Sequence, residues 1–317
     1  MTDTPIRGHL DQLLTNFSVG LAKQAGFIGD IVAPVIPVSH ESDAYATFGA
    51  EDLRLDSMSY GGRGTIGRVE WTESLSQYLC QEYALEAGIP WQKMRNADAA
   101  LRLEMRAAQG LVNKAKLRRE KQVADLLATA ATYTNTAALS GADCWDKDTS
   151  GPVAKVADAK ETIRGLIGIE PNTLVLGPHV WAHLRIHPDV CQRVLGLLPN
   201  TPASPEQAAA ILGVDQVIVG KGVYASNAET TAAVAPTLAD VWGKIAIVCY
   251  IDPVAGGGVE GTITPAAQFA CDAVAAPFST FTYEENQTRK HIIQVYDCVD
   301  VKAIATSSAY LYTTVVA

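Results

Sequence analysis

The 317-residue chain reads as an α+β protein with extended appendages, and three features of the sequence predict it. Apolar residues recur at helical spacing from about residue 97 to 131, a stretch about three times the length of an ordinary globular helix. A block from about 151 to 267 alternates short apolar strands with helical segments. From about 277 onward the pattern is of strand type throughout, rich in β-branched and aromatic residues.

Composition narrows the function classes. Apolar residues make up 48% and charged residues 19%, which supplies a core and excludes a disordered chain. With 25 basic against 34 acidic side chains, the net charge is −9 and the pI about 5.2. That balance argues against a dedicated nucleic-acid binder, whose phosphate contacts need a net basic face. The six cysteines show no C-x-x-C spacing and several lie in apolar stretches such as Ile247–Ile251. They read as small buried hydrophobes in a reducing compartment. The first residues lack a signal-peptide pattern, and no apolar run approaches the ~18–20 residues of a membrane span. A soluble chain made in the cytoplasm is the expectation.

In order along the chain, residues 1–38 combine a weak helical pattern around Leu10, Leu13, Leu14 and Phe17 with an extended piece punctuated by Pro34 and Pro37. Proline donates no N–H and biases its predecessor toward extended geometry, so this reads as an arm lying along a surface. Residues 39–78 are polar and glycine-rich, with short alternating stretches flanking a turn-rich tip. A long two-stranded ribbon is the simplest account, and such a ribbon needs a partner surface.

The spine pattern follows. Leu101, Met105, Ala108, Val112, Ala115, Val123, Leu126 and Ala130 are spaced three or four apart, with Arg119 in the one missing place. At 1.5 Å per residue, ~35 residues span ~50 Å. The other faces carry Arg102, Arg106, Lys114, Lys116, Arg118 and Lys121 against Glu104, Glu120 and Asp125, a basic side expected to be wet. After a turn-rich boundary at 143–151, helices are expected near 153–167, 178–187, 189–198 and 204–212, with strands at 173–177, 216–220 and 245–251. Strands near 278–283, 292–301 and 309–316 should return against the spine.

No catalytic constellation emerges. Gly62-Arg63-Gly64-Thr65-Ile66-Gly67 matches G-x-G-x-x-G, but a polar stretch precedes it and a strand pattern follows, so it reads as a ribbon tip. His179, His183, His187 and Cys191 recur every four residues. Residues eight apart on a helix are separated by ~12 Å, while zinc holds ligands at ~2.0–2.3 Å. One ion cannot gather the series. There is no nucleophile elbow or phosphate loop, and the strand carboxylates read as a solvated face.

Three phrases, in this order of elements, carry a resemblance: Leu117-Arg-Arg-Glu-Lys-Gln-Val-Ala-Asp-Leu-Leu127, Glu170-Pro-Asn-Thr-Leu-Val-Leu-Gly-Pro178 and Asp240-Val-Trp-Gly-Lys244. The chain resembles the tailed-bacteriophage major capsid protein family of the Hong Kong 97 type. The resemblance implies that capsid fold: an N-terminal arm (1–38), an extended β-ribbon loop (39–78), a peripheral domain with the spine helix (79–150, helix 97–131), an α/β axial domain (151–267), and return strands of the peripheral domain (268–317). It implies pentamers and hexamers closing an icosahedral shell around double-stranded DNA. No catalytic, cofactor or metal site goes with it.

The assembly residues implied are the loop tip, Asp56, Tyr60, Gly61, Gly62, Arg63 and Gly64, and the basic spine face, Arg102, Arg106, Lys114, Arg118 and Lys121. The latter would touch DNA weakly and without sequence preference. Met1 stands only about thirty residues before the loop, so scaffolding is expected from a separate protein, beside separate portal and decoration proteins. Some such capsids join neighbours through a loop lysine and an asparagine. Here no lysine lies between Lys23 and Lys93, so a non-covalent shell is expected. An encapsulin-like compartment shell is the alternative reading, and a metal-dependent enzyme using His179, His183 and His187 is third.

Overall fold

The computed structural model describes residues 9–10, 26–47, 55, 74–96, 100–195, 202–226, 237–253, 263–272 and 276–317. Two sheets organise them, joined by one long helix. In the outer sheet the 14-residue strand β14 (Lys290–Ala303) is central. β5 (Gln81–Pro90) pairs along one side of it, and β13 (Ser279–Glu285) and β12 (Ala266–Cys271) follow one another along the other. β1 (His9–Leu10) borders β13, and β2 (Val35–Val38) borders β12 in parallel. Pro37 is tolerated in β2 because that strand is an edge, where a missing N–H disrupts no ladder. A single helical turn, α1 (Gly29–Val32), leads into it.

Between arm and sheet the chain makes the ribbon base, β3 (Ser42–Thr47) paired antiparallel with β4 (Ser74–Leu79). Strand alternation turns Tyr45 and Tyr78 inward, with ring centroids 5.1 and 4.7 Å from Phe269. It turns Leu75 and Leu79 outward.

After the short helix α2 (Trp91–Arg95), the spine α3 runs Ala100–Ala128, 29 residues. The expected end at 131 is corrected: Thr129 is extended, and 130–132 form a 3-10 turn. Ala108 and Val112 of the expected apolar stripe, joined by Leu111 beside it, pack with Ile89, Ile293, Val295 and Phe278. Farther along, Val123, Ala124 and Leu127 pack with Ile28, Val32 and Ala33 of the arm and Ile247 of the second sheet.

The second sheet has the order β6 (Asn135–Ala138), β15 (Ala309–Thr313), β11 (Ala246–Cys249), β7 (Thr173–Leu176), β8 (Gln216–Val219). β7 and β11 are buried at every position, as uninterrupted apolar runs require of central strands. One face is covered by α4 (Pro152–Ile167), α5 (Pro178–Leu184), α6 (Pro188–Leu195) and α7 (Pro205–Leu212) around Trp145, Ile163 and Leu184. Each begins with proline, whose missing N–H is harmless in a first turn. α7 adds a reciprocal cap between Ser204 and Gln207, and α4 and α7 stop at left-handed Gly168 and Gly213. A hairpin, β9 (Val223–Ala225) and β10 (Leu238–Asp240), stands apart from both sheets.

Sheet membership corrects the expected partition in two places. The last strand, expected among the return strands of the outer unit, lies between β6 and β11 of the α/β sheet. β6, expected with the spine unit, joins it there.

Candidate assembly surfaces

The three phrases that carry the resemblance meet at one point. Asp240–Lys244 contains a turn at Gly243 (φ 53°), which delivers Trp242 toward the spine. Its indole Nε1 donates to Glu120 Oε1 at 2.6 Å. Only a glycine fits at 220, where a Cβ would lie 2.1 Å from the Trp242 ring. Gly177, from the second phrase, passes so close to the turn that a Cβ would sit 1.9 Å from the Gly243 carbonyl oxygen. Glu120 also accepts from the backbone N–H groups of Ile28 (3.0 Å) and Gly29 (2.5 Å), so one carboxylate ties spine, arm and α/β unit together. Burial pushes its pKa above the usual carboxylate range, and the three donated hydrogen bonds oppose that rise.

One residue earlier, Arg119 donates from Nη2 to Asp297 Oδ1 of β14 at 2.5 Å. Its guanidinium carbon lies 4.3 Å from the centroid of Phe278, a non-glycine residue held at φ 60°. Asp297 is likewise pushed up by burial, with Arg119 opposing. A buried pair like this fixes geometry more than it adds stability.

The basic face expected on the spine is narrower than its sequence suggests. Arg106 and Lys114 are exposed on one line with Gly110 between them. Arg102 falls four residues before Arg106 on that line, and its side chain lies outside the described residues. Arg118 is corrected: it is half-buried over the Tyr83 ring of β5. Lys121 is paired with Asp125 and lies 5.0 Å from the Tyr224 ring centroid. The loop-tip residues Asp56, Tyr60, Gly61, Gly62, Arg63 and Gly64, with the G-x-G-x-x-G match, lie outside the described residues.

The histidine series does not converge. His179 faces Asp240 Oδ2 at 3.2 Å. His187 is buried: its Nε2 lies 3.1 Å from Ser150 Oγ and 3.0 Å from the Lys147 carbonyl, and its Nδ1 accepts from Asp189 N–H. Cys191 Sγ donates to the Arg185 carbonyl. Among the described residues no three His, Cys, Asp or Glu side chains gather as metal ligands, and no helix is long and apolar enough to cross a membrane. Sequence reasoning missed the Glu120–Trp242 contact. The placement of charged Arg119 on an otherwise apolar stripe was the available signal for a buried pair nearby.

Known proteins supply the context. The phage capsid protein family matches residues 79–290. The major capsid protein of Burkholderia phage BcepMu is 30% identical over 257 residues, covering 80% of each chain. A phage-related protein from Bordetella bronchiseptica RB50 superposes with a TM-score of 0.78 at 24% identity, covering 97% of this chain and 98% of that one. The capsid of cyanophage P-SCSP1u has a TM-score of 0.59 at 11% identity (98% and 90% covered). The SrpI encapsulin of Synechococcus elongatus PCC 7942 has 0.52 at 11% (89% and 85%). With the family match over two thirds of the chain and a capsid relative along most of its length, the chain belongs to the phage capsid protein family and is a shell protein of the Hong Kong 97-type capsid fold.

Proposed function

We propose that copies of this chain assemble as pentamers and hexamers into an icosahedral shell around double-stranded DNA. In this reading the subunit is made in the host cytoplasm and works with separate scaffolding, portal and decoration proteins. The observation that carries the reading is the ribbon base. One face is sealed on Phe269, while the other leaves Leu75 and Leu79 exposed and without cover among the described residues. Two large exposed leucines on one face of the ribbon base gain most from burial against a neighbour. The division into arm (1–38), extended loop (39–78), spine unit (79–150), axial unit (151–267) and return strands (268–317) goes with this reading, with β6 and β15 reassigned to the axial sheet. The loop tip, Asp56 to Gly64, would reach the neighbouring subunit.

Contact with DNA would fall to the Arg102–Arg106–Lys114 line. Two or three cations on a chain of net charge −9 give weak, salt-sensitive binding without sequence readout. No catalytic role is assigned, and the metal-enzyme reading is set aside because His179 and His187 turn to separate partners. Neighbours would be held by burial and strand pairing: the ribbon offers arginines and no lysine, and a guanidinium stays protonated and is a poor nucleophile.

Light scattering and negative-stain imaging of the purified protein test the reading. Rings or closed shells are expected, containing nuclease-protected DNA when isolated from infected cells. Boiled, reduced particles should run as one band near 33.7 kDa. A monomer under all assembly conditions overturns the shell, protein cargo in place of DNA favours the encapsulin-type alternative, and a ladder of covalent oligomers overturns the non-covalent lock.

A further inference from the structure

The outer sheet is bordered unequally. β13 is bordered by β1 and β12 by β2, but β5, ten residues long, pairs only with β14 among the described residues. Among the described residues its far edge therefore presents a row of backbone donors and acceptors with no ladder partner. Proteins that leave such an edge to solvent shorten it, twist it away or guard it with lysines and inward-pointing charges. β5 is not short, and its one proline, Pro90, stands only at its last position. It has no lysine, and both of its charged side chains are drawn onto the sheet face: Glu82 accepts from the Tyr296 hydroxyl at 2.8 Å and Glu86 from the Tyr283 hydroxyl at 3.0 Å. On the opposite face Tyr83 is covered by Arg118 and Ile89 is buried, yet Leu85 between them remains 43% exposed.

A long edge without lysine and with an uncovered leucine suits addition of another strand, in which main-chain bonds supply affinity and an apolar side chain supplies register. In a shell, the surface brought against it at high local concentration is another subunit. We propose that the free edge of β5 is completed by an extended segment of a second copy of this chain, with Leu85 covered in the same contact. The inference rests on the shell reading and adds to it a seam separate from the outward ribbon leucines.

Hydrogen exchange by mass spectrometry, with single-residue fragmentation over 81–90, tests it on free subunits and on assembled shells. In free subunits the amides should fall into a slow set, bonded to β14, and a fast set on the free edge. In shells the fast set should slow by at least about tenfold, as newly bonded amides do. Leu85→Lys should leave the melting temperature of free subunits unchanged and reduce assembly. If shells form and the fast set stays fast, edge pairing is wrong while the shell reading stands. If the amides slow but Leu85→Lys assembles normally, the part assigned to Leu85 falls. If the wild-type chain never assembles, both readings fall.

Discussion

At the junction of the spine with the two sheets, Arg119 and Glu120 are 4% and 3% exposed, whereas Leu75 and Leu79 on the ribbon are 73% and 59% exposed. The usual distribution of polarity is inverted between the two regions, and the inversion separates two tasks. The buried charges find their partners inside one chain: Arg119 in Asp297, through a single hydrogen bond that leaves Arg119 Nε and Asp297 Oδ2 without one, and Glu120 in Trp242 and two arm amides. These contacts join segments 90 to 180 residues apart and define how arm, spine and sheets sit before any neighbour arrives. The ribbon leucines are left uncovered among the described residues. In the function proposed above, the junction sets the subunit's shape and the ribbon holds apolar surface in reserve for assembly.

The largest effect expected from this contrast is at the buried pair. Asp297→Ala leaves the Arg119 charge buried without its partner and should destabilise free subunits by about 3–5 kcal/mol in urea unfolding. The double variant Arg119→Met with Asp297→Leu should recover most of that loss. Because burial raises Asp297 and Glu120 above the usual carboxylate range, the folded chain holds their protons more tightly than the unfolded chain. Their ionisation therefore works against the fold: this contribution falls as pH rises through the raised values and is regained as pH falls toward the ordinary carboxylate range. The double variant should lose the Asp297 share of that dependence. A loss no larger for Asp297→Ala than for Leu75→Ala would erase the distinction between the regions.

Charging the ribbon should do the reverse. Leu75→Asp with Leu79→Asp alters side chains that already face water, so subunit stability should move by no more than about 0.5 kcal/mol per site. Particle yield, followed by light scattering, should collapse. Normal shells from this variant would place the essential contacts elsewhere.

A subtler effect is expected beneath the ribbon. Cys80 and Cys298 lie in the cluster that Tyr45 and Tyr78 cover, and burial pushes their thiols up to about 12 and about 11. The thiolate is the reactive form, so iodoacetamide at pH 8 should leave both unmodified in folded subunits, with rates climbing until pH passes those values. Tyr78→Ala, which removes the ring stacked 4.7 Å from Phe269, should open Cys80 to alkylation, while the outward leucine variant should not. Mass spectrometry of the digested protein distinguishes the two.

How much of this was legible in the sequence depended on the range of the interaction. The spine announced itself because three-and-four spacing is local, and β7 and β11 did because an unbroken apolar run marks a central strand. β5 carries the same kind of signal in Tyr83, Leu85, Ala87 and Ile89 at every second position, but exposed residues between them and a polar start disguise it. β15 read correctly as a strand and was expected in the wrong sheet, since alternation says nothing about which neighbour pairs. The junction was the least legible. Glu120 sits between basic residues on a face that looks solvated, and it is buried only because Ile28, Gly29 and Trp242 arrive from distant parts of the chain. The ribbon tip was read from its glycines, and its residues lie outside those described.

The smallest expected effect sharpens the comparison at a third place, the exposed line of the spine. Gly110 lies there between Arg106 and Lys114, and a Cβ built on it meets nothing within 4 Å. In a helix interior glycine is less favourable than alanine by about 0.8–1 kcal/mol, because it loses more backbone freedom on folding. Gly110→Ala should therefore stabilise free subunits by somewhat under 1 kcal/mol, a rise of about 2 °C in Tm. If the line faces the shell interior and meets only DNA through its two long cations, a methyl group between them changes nothing further, and shells should form in normal yield. A subunit that is more stable yet fails to assemble would mean another backbone approaches Gly110 within van der Waals contact, since only glycine permits such an approach. The spine would then belong with the ribbon, as surface held for a neighbour, and its assignment to DNA would fall.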